Sequence, residues 1–145
     1  MKPNQTVDYH IKVNWHALTN LYNSIAAKHG LTQATGFVLL NIEDHVGTPA
    51  TKIAPLMGMK ATSLSRILRT METSGLIERK GDKSDGRMVR IHLTEVGLEK
   101  KRIAKEVVKE LNQYIIKNVP EKKLQTYFEV MENINELIGN YKENN

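Results

Sequence analysis

Apolar stripes at helical spacing mark both ends of the chain. The first runs through residues 7–29, with apolar positions three or four apart at Val7, Ile11, Trp15, Leu18, Tyr22 and Ile25. Two further stripes lie near the C-terminus, one after Thr94 and one after Pro120. This period predicts long amphipathic helices, each with one apolar face.

Shorter helices are predicted between the long ones. Thr32 can cap a second helix, whose apolar residues continue until Gly47. Thr48-Pro49 is typical of a cap followed by proline at the first helical position, which predicts a short helix to about Met57. A further amphipathic helix is predicted over residues 61–74.

One segment alternates with the period of a half-buried strand. Residues 88–93 read MVRIHL, which puts Met88, Arg90 and His92 on one face and Val89, Ile91 and Leu93 on the other. Residues 76–79 can form the partner strand, with a polar loop between the two. The predicted fold is therefore mainly α with a small β-hairpin.

The composition narrows the class of protein. A chain of 145 residues is one domain by size. It has no apolar run of the roughly 20 residues that span a bilayer, and its N-terminus lacks the apolar stretch of a secretory signal. The absence of cysteine excludes disulfides and thiolate metal sites. The cytoplasm is the expected compartment.

Positive charge is concentrated in the middle of the chain. Residues 51–102 hold 12 Lys and Arg against 6 Asp and Glu, whereas all other residues hold 9 against 10. A local excess of this kind suits binding to a polyanion, although a solvated basic face would show the same composition.

The long terminal helices have few packing partners within so small a chain. Packing residues 7–29 and 103–141 against the same helices of a second copy would bury their stripes in a symmetric dimer. The alternative is an intramolecular three-helix bundle. We therefore expect a single domain, with residues 32–100 as a central lobe and the flanking helices as a dimerisation lobe.

The predicted helix 61–74 has two different faces. Its outward face carries small hydroxyls and arginines, with Thr62, Arg66 and Arg69 flanked by Ser63, Ser65 and Thr70. Such a face can enter the major groove of DNA, where arginine can bind the O6/N7 edge of guanine. With the short helix before it and Gly58 in the turn, it predicts a helix-turn-helix.

The hairpin after this helix can act as a wing that reaches a neighbouring minor groove. Arg87 at its tip is the candidate contact, since arginine suits a narrow A·T-rich minor groove. Asp85 repels phosphate, so we expect it to pair with a nearby arginine and hold the loop; alternatively it only starts a turn. The predicted DNA-binding positions of the wing are Lys83, Ser84, Asp85, Arg87 and Arg90.

Residues 31–101 resemble the MarR family of winged-helix transcription regulators. The resemblance rests on LTQATGFVLLNI, on IAPLMGMKATSLSRILRTMETSGLIER and on DGRMVRIHLTEVG, in that order and spacing. The family's wing motif, Asp-x-Arg followed by a strand and Leu-Thr-x-x-Gly, matches Asp85-Gly86-Arg87 and residues 93–97.

The resemblance implies a winged helix-turn-helix lobe with a helical dimerisation lobe, and a homodimer on double-stranded DNA with a pseudo-palindromic operator. It further implies repression that a small aromatic or amphipathic effector relieves. The family's recognition-helix positions fall on Thr62, Ser63, Ser65, Arg66 and Arg69, and its wing pair on Asp85 and Arg87.

Two residues depart from the family pattern. Pro55 lies in the short helix and removes one N–H donor, which is harmless only in the first helical turn. Lys60 stands where the family has a helix-capping side chain, so Thr62 could cap the helix instead and leave the set of base-reading residues.

The sequence defines the chemical class and binding site of an effector less closely than it defines the DNA-binding residues. The five histidines are scattered, so a metal site is not expected, and no cofactor is predicted. An organic effector would be expected near Trp15, His16, Tyr22 and Phe37, although aromatic residues at helical spacing usually form core or dimer interface.

No catalytic motif accompanies these features. The chain lacks a glycine-rich phosphate loop and a Gly-x-Ser-x-Gly turn, so an enzyme is not expected. A membrane-surface protein would need an apolar insertion face beside its basic residues. The remaining alternative to a regulator is an architectural or constitutive DNA-binding factor without ligand sensing.

Overall fold

A computed structural model describes residues 1–143, so the last two residues of the predicted single domain lie outside the described residues. After a 3-10 helix at Pro3–Gln5, the helices are α1 (Val7–Ala27), α2 (Gln33–Leu40), α3 (Ala50–Leu56), α4 (Ala61–Thr73), α5 (Glu95–Asn118) and α6 (Glu121–Glu143). The strands are β1 (Thr48–Pro49), β2 (Ile77–Gly81) and β3 (Val89–Leu93). Met1–Val107 form one compact unit, and a second begins at Val108.

The predicted helix starts are largely confirmed, but α2 is shorter than expected. The Thr32 hydroxyl accepts a hydrogen bond from the Thr35 backbone N–H at 3.1 Å and caps α2. The helix ends at Leu40 rather than near Gly47. Ile42, which the pattern placed in the helix, is instead fully buried from the following loop.

The strands form one antiparallel sheet in the order β1-β3-β2. β3 pairs with β2 along the hairpin, with Arg79 opposite Ile91. The predicted short helix is present as α3, but its start was placed one residue too early: Thr48 and Pro49 form β1 and pair with β3, and Pro49 occupies the N-cap position of α3. The Thr48 hydroxyl accepts from the Glu43 backbone N–H at 2.9 Å, so it braces the preceding loop and does not cap a helix.

The core of the first unit joins α2, α3, α4 and the sheet. Its largest fully buried side chains are Val38, Leu39, Ile42, Ile53, Met71, Ile77 and Ile91. Burying each such side chain stabilises the fold by roughly 1.5–3 kcal/mol. The alternation predicted for β3 holds at Ile91 but not at Val89, which is 43% exposed near the end of the hairpin.

The structure shows where the two residues that depart from the family pattern, Pro55 and Lys60, lie in the helix-turn-helix. Pro55 lies in the last turn of α3, not the first, and the helix ends one residue later at Leu56. Gly58 then adopts a φ of +60°, which favours glycine and turns the chain. α4 begins at Ala61 with Lys60 at its cap position and no side-chain cap, so Thr62 is inside the helix and does not cap it.

Candidate nucleic-acid interface

α4 separates its apolar and polar residues as the sequence predicts. Leu64, Leu68 and Met71 are buried against the core. The opposite face consists of residues that are all exposed, namely Thr62, Ser63, Ser65, Arg66 and Arg69. The hydroxyl of Ser65 donates to the backbone oxygen of Ala61 at 3.0 Å, so this hydroxyl can accept a hydrogen bond but is less free to donate one.

The outward face of α4 is available for a polyanion. The guanidinium groups of Arg66 and Arg69 have no anionic partner among the described residues. The nearby carboxylate of Glu72 is paired with Arg79 of β2 at 3.4 Å. Two arginines and small hydroxyls can therefore meet phosphates or guanine edges without first breaking an ion pair.

The wing loop is organised by a carboxylate that the sequence did not single out. Asp82 Oδ1 accepts hydrogen bonds from the backbone N–H and the hydroxyl of Ser84, at 2.8 and 2.5 Å. Its Oδ2 accepts from Arg90 Nε at 3.0 Å and lies 3.0 Å from Arg90 Nη2. The Ser84 hydrogen bonds and then Arg90 hold the pKa of the Asp82 carboxyl well below its ordinary value.

The expectation that Asp85 pairs with an arginine needs correction. Asp85 Oδ1 accepts from the backbone N–H of Arg87 at 3.0 Å, and the Asp85 carbonyl oxygen accepts from the Met88 N–H at 3.0 Å. These contacts make Asp85 a turn residue, which was the alternative reading of the sequence. The carboxylate that pairs with arginine in this loop is Asp82.

The two predicted wing arginines differ in their surroundings. Arg87 is exposed at the end of the hairpin, and its guanidinium has no partner in the described part of the chain. The guanidinium of Arg90 is engaged within the protein, because besides Asp82 it donates to the Gly47 carbonyl at 3.1 Å. Lys83 is exposed, whereas the hydroxyl of Ser84 is engaged as a hydrogen-bond donor to Asp82.

Gly47 makes this anchoring of Arg90 possible. It adopts a φ of +71°, and a Cβ built on it would lie 2.6 Å from the backbone oxygen of Ile91. Only glycine lets the loop before β1 come this close to β3. No sequence pattern connects residues 43 positions apart, so this contact could not be read from the chain.

The residues proposed for an effector do not form one site. Tyr22 and Phe37 meet edge to face with ring centroids 6.0 Å apart, and burial raises the pKa of the Tyr22 hydroxyl. Trp15 and His16 are exposed on α1. They are six or seven residues before Tyr22, about 10 Å along the helix.

On α1 and α2, the two helices that carry this aromatic pair, two buried polar atoms have no hydrogen-bond partner among the described residues. They are Thr19 Oγ1 and Gln33 Nε2, and Gln33 is 8% exposed. The backbone N–H of Gln33 donates to the side chain of Asn23 at 2.9 Å, which ties α2 to α1. Buried polar groups usually have partners, so this junction offers unused hydrogen-bonding capacity.

A separate cleft of about 410 Å³ opens beside the first turns of α5. Its lining is charged and includes Asp44, Glu95, Glu99, Lys101, Arg102 and Lys105, so none of the predicted effector residues reaches it. Over the described residues, no group of three His, Asp or Glu is placed to hold a metal ion. Within the same residues no helix is both long and apolar enough to cross a membrane.

Comparison with known proteins supports the resemblance read from the sequence. Residues 31–89 match the sequence model of the MarR family. The chain is 33% identical over 82 residues to the HTH-type transcriptional regulator TtmR of Methylorubrum extorquens, which covers 57% of this chain and 42% of TtmR. It is 30% identical over 73 residues to the HTH-type transcriptional repressor IacR of Pseudomonas putida, over 50% and 44% of the two chains. The chain thus spans less than half the length of either relative.

The fold is shared with solved structures over most of the chain. The S. aureus MepR–DNA complex superposes with a TM-score of 0.80 at 20% identity, over 93% of this chain and 98% of that one. At this identity the likeness establishes the winged-helix fold and no more.

Proposed function

On the premise that residues 31–89 belong to the MarR family, we propose that the protein is a sequence-specific DNA-binding transcription regulator acting in the cytoplasm. One observation carries the proposal: the outward face of α4 presents Arg66 and Arg69 without any anionic partner among the described residues. α4 would enter the major groove, where these arginines read base edges and the hydroxyls of Thr62 and Ser63 bind phosphate or bases.

The wing extends this interface. Arg87, exposed and unpaired within the described residues, would insert into the adjacent minor groove. Lys83 on the same loop would add a phosphate contact. Arg90 is withdrawn from the proposed contacts, since its guanidinium is bound to Asp82 and the Gly47 carbonyl.

The regulator would act as a homodimer held by residues 7–29 and 103–141. Apolar side chains stay exposed on each of these helices. On α1 they include Val7, Ile11 and Trp15, and in the second unit Tyr114, Phe128, Leu137 and Ile138. Exposed apolar stripes of this length are unusual on a monomer. A two-fold dimer would present two α4 helices to a pseudo-palindromic operator.

Repression with release by a small organic effector is the form of regulation we favour. The relative IacR is named a transcriptional repressor, which supports repression over activation. The Tyr22–Phe37 pair, together with Gln33 Nε2 one turn before Phe37, which has no partner among the described residues, supports an aromatic ligand with a hydrogen-bond acceptor. Trp15 and His16 would take part only if the partner protomer or a ligand brings them into contact with that junction.

A selection experiment tests the proposal against its rival, an architectural factor. DNA bound by the protein is recovered from a random pool, and the enriched duplex is footprinted. A discrete palindrome protected on both half-sites would support the regulator. Indifferent coating of all duplexes would support the architectural factor and overturn sequence-specific regulation. Adding small aromatic acids to the complex then tests release.

A further inference from the structure

We propose that Asp82 positions the wing arginine Arg87 for DNA, although its own charge would repel phosphate. This inference rests on the proposed function, because it takes Arg87 to be the residue that contacts DNA. Arg90 completes the arrangement as an anchor inside the protein.

Asp82 reaches Arg87 through a short series of hydrogen bonds. Its Oδ1 accepts from the backbone N–H groups of Ser84 and Asp85, at 2.8 and 3.4 Å. The carboxylate of Asp85 in turn accepts from the backbone N–H of Arg87 at 3.0 Å. Two carboxylates in series thus fix the backbone of the loop from which the Arg87 side chain projects.

The same carboxylate connects the wing to the rest of the first unit. Arg90 donates through Nε to Asp82 Oδ2 at 3.0 Å, and through Nη1 to the carbonyl oxygen of Gly47 at 3.1 Å. Gly47 lies against β3, where a Cβ would collide with Ile91. The wing loop is therefore held to a rigid part of the fold and not only to its own strands.

Removing the Asp82 carboxylate should change DNA affinity in opposite directions under simple electrostatics and under the positioning role. Hydrogen bonds from Ser84 and Arg90 depress the pKa of this carboxyl, so it carries a negative charge at neutral pH. Removing a negative charge near DNA should tighten binding. If Asp82 aims Arg87, removing it should weaken binding instead.

The test uses a duplex selected from a random DNA pool and a scrambled duplex of the same composition. The affinities of Asp82→Ala, Arg87→Ala and the double variant are measured at one salt concentration. Glu78→Ala is the matched control. Glu78 lies on β2 of the same hairpin and forms a surface ion pair with Lys80 at 3.4 Å, so its loss removes the same charge without touching the Asp82 contacts.

Asp82→Ala should weaken binding to the selected duplex about tenfold, as expected for one lost arginine contact. In the Arg87→Ala background it should cause little further loss, because the contact it supports has gone. Glu78→Ala should bind as wild type or more tightly. The role is refuted if Asp82→Ala behaves like Glu78→Ala, or if it weakens binding equally with and without Arg87.

A measurement on the free protein separates this inference from the proposed function. Backbone order parameters of residues 84–88 should fall from about 0.85 toward 0.6 in Asp82→Ala and stay unchanged in Glu78→Ala. Unchanged order in Asp82→Ala would overturn the positioning role even if wild type binds its duplex. Wild type without any sequence preference would overturn the proposed function, and the order parameters would still decide whether Asp82 orders the wing.

Discussion

The ammonium nitrogen of Lys101 lies 2.5 Å from a carboxylate oxygen of Asp44 and 2.5 Å from the backbone oxygen of Ile42. Lys101 is 7% exposed, so this α5 residue is buried against the loop that follows α2. Its neighbour Lys100 donates to the backbone oxygen of His29, just past α1, at 2.6 Å. Adjacent lysines of α5 thus bind the carbonyl-rich ends of two helices.

Replacing Lys101 with Met should destabilise the fold. The substitution keeps an unbranched chain but leaves the Ile42 carbonyl without its partner, at a cost of about 1–3 kcal/mol in the free energy of unfolding. Urea denaturation measures it. Lys105→Met removes an exposed lysine one turn later on α5 and should change stability by at most about 0.5 kcal/mol. Equal losses in the two variants would contradict the role of Lys101.

The Lys101–Asp44 pair should also make the free energy of unfolding depend on pH in the acid range. The Lys101 hydrogen bond lowers the pKa of the Asp44 carboxyl below its unfolded value of about 3.9. Its contribution is therefore present above that pH and is lost as pH falls through the folded pKa. The difference in unfolding free energy between wild type and Asp44→Asn should be constant near neutrality and shrink below about pH 4. A difference that persists unchanged at pH 2 would contradict a stabilising role for the ionised Asp44 carboxylate.

Gly97 should not tolerate a side chain. A Cβ at this position in the first turns of α5 would lie 2.0 Å from the backbone oxygen of Leu76. Gly97→Ala should therefore cost about 1–3 kcal/mol through forced backbone movement. Gly36→Ala is the control, since its Cβ would make an ordinary contact with Ala104 at 4.0 Å. Within α2 this alanine should raise the free energy of unfolding by about 0.5–1 kcal/mol. Thermal unfolding of both variants tests the contrast.

Periodic features of the fold could be predicted, and long-range polar contacts could not. The stripe of Leu64, Leu68 and Met71 orients α4 because a 3.6-residue period leaves one choice of buried face. β1 escaped prediction, since two residues that include a proline carry no strand period. Thr48-Pro49 is equally compatible with a helix start and with pairing to β3.

The polar contacts of the wing loop could not be predicted either, because they depend on residues far apart in the sequence. Asp82 and Asp85 stand three residues apart in one polar loop, and nothing local decides which of them reaches an arginine. The answer depends on Arg90 being drawn to the Gly47 carbonyl, a contact across 43 positions. Exposure of Arg87 was predictable because it lies at the turn; engagement of Arg90 required the three-dimensional fold.

Charge placed on the exposed stripe of the second unit should abolish the proposed dimer. Tyr114 and Ile138 are 68% and 60% exposed, so glutamate at both positions would meet solvent in a monomer but be buried in an interface. Wild type should sediment at twice the 16.5 kDa chain mass and the double variant at once that mass. Val96→Glu, on an exposed residue outside residues 103–141, should remain dimeric. A wild type that sediments as a single chain would refute the dimer.

Loss of Arg66 or Arg69 should weaken the preference for the selected DNA sequence, which loss of a basic residue that contacts only phosphate would not do. Alanine at a base-reading arginine should cost about 1–3 kcal/mol on the selected duplex and relax the preference at one base pair, with little change on scrambled DNA. A phosphate contact would instead weaken both duplexes alike and reduce the slope of affinity against salt by about one. Arg102→Ala is the control, because Arg102 is paired with Glu99 on α5 and lies outside the proposed interface. Binding titrations at several salt concentrations separate the cases: uniform loss on every duplex for both variants would show that neither arginine reads bases.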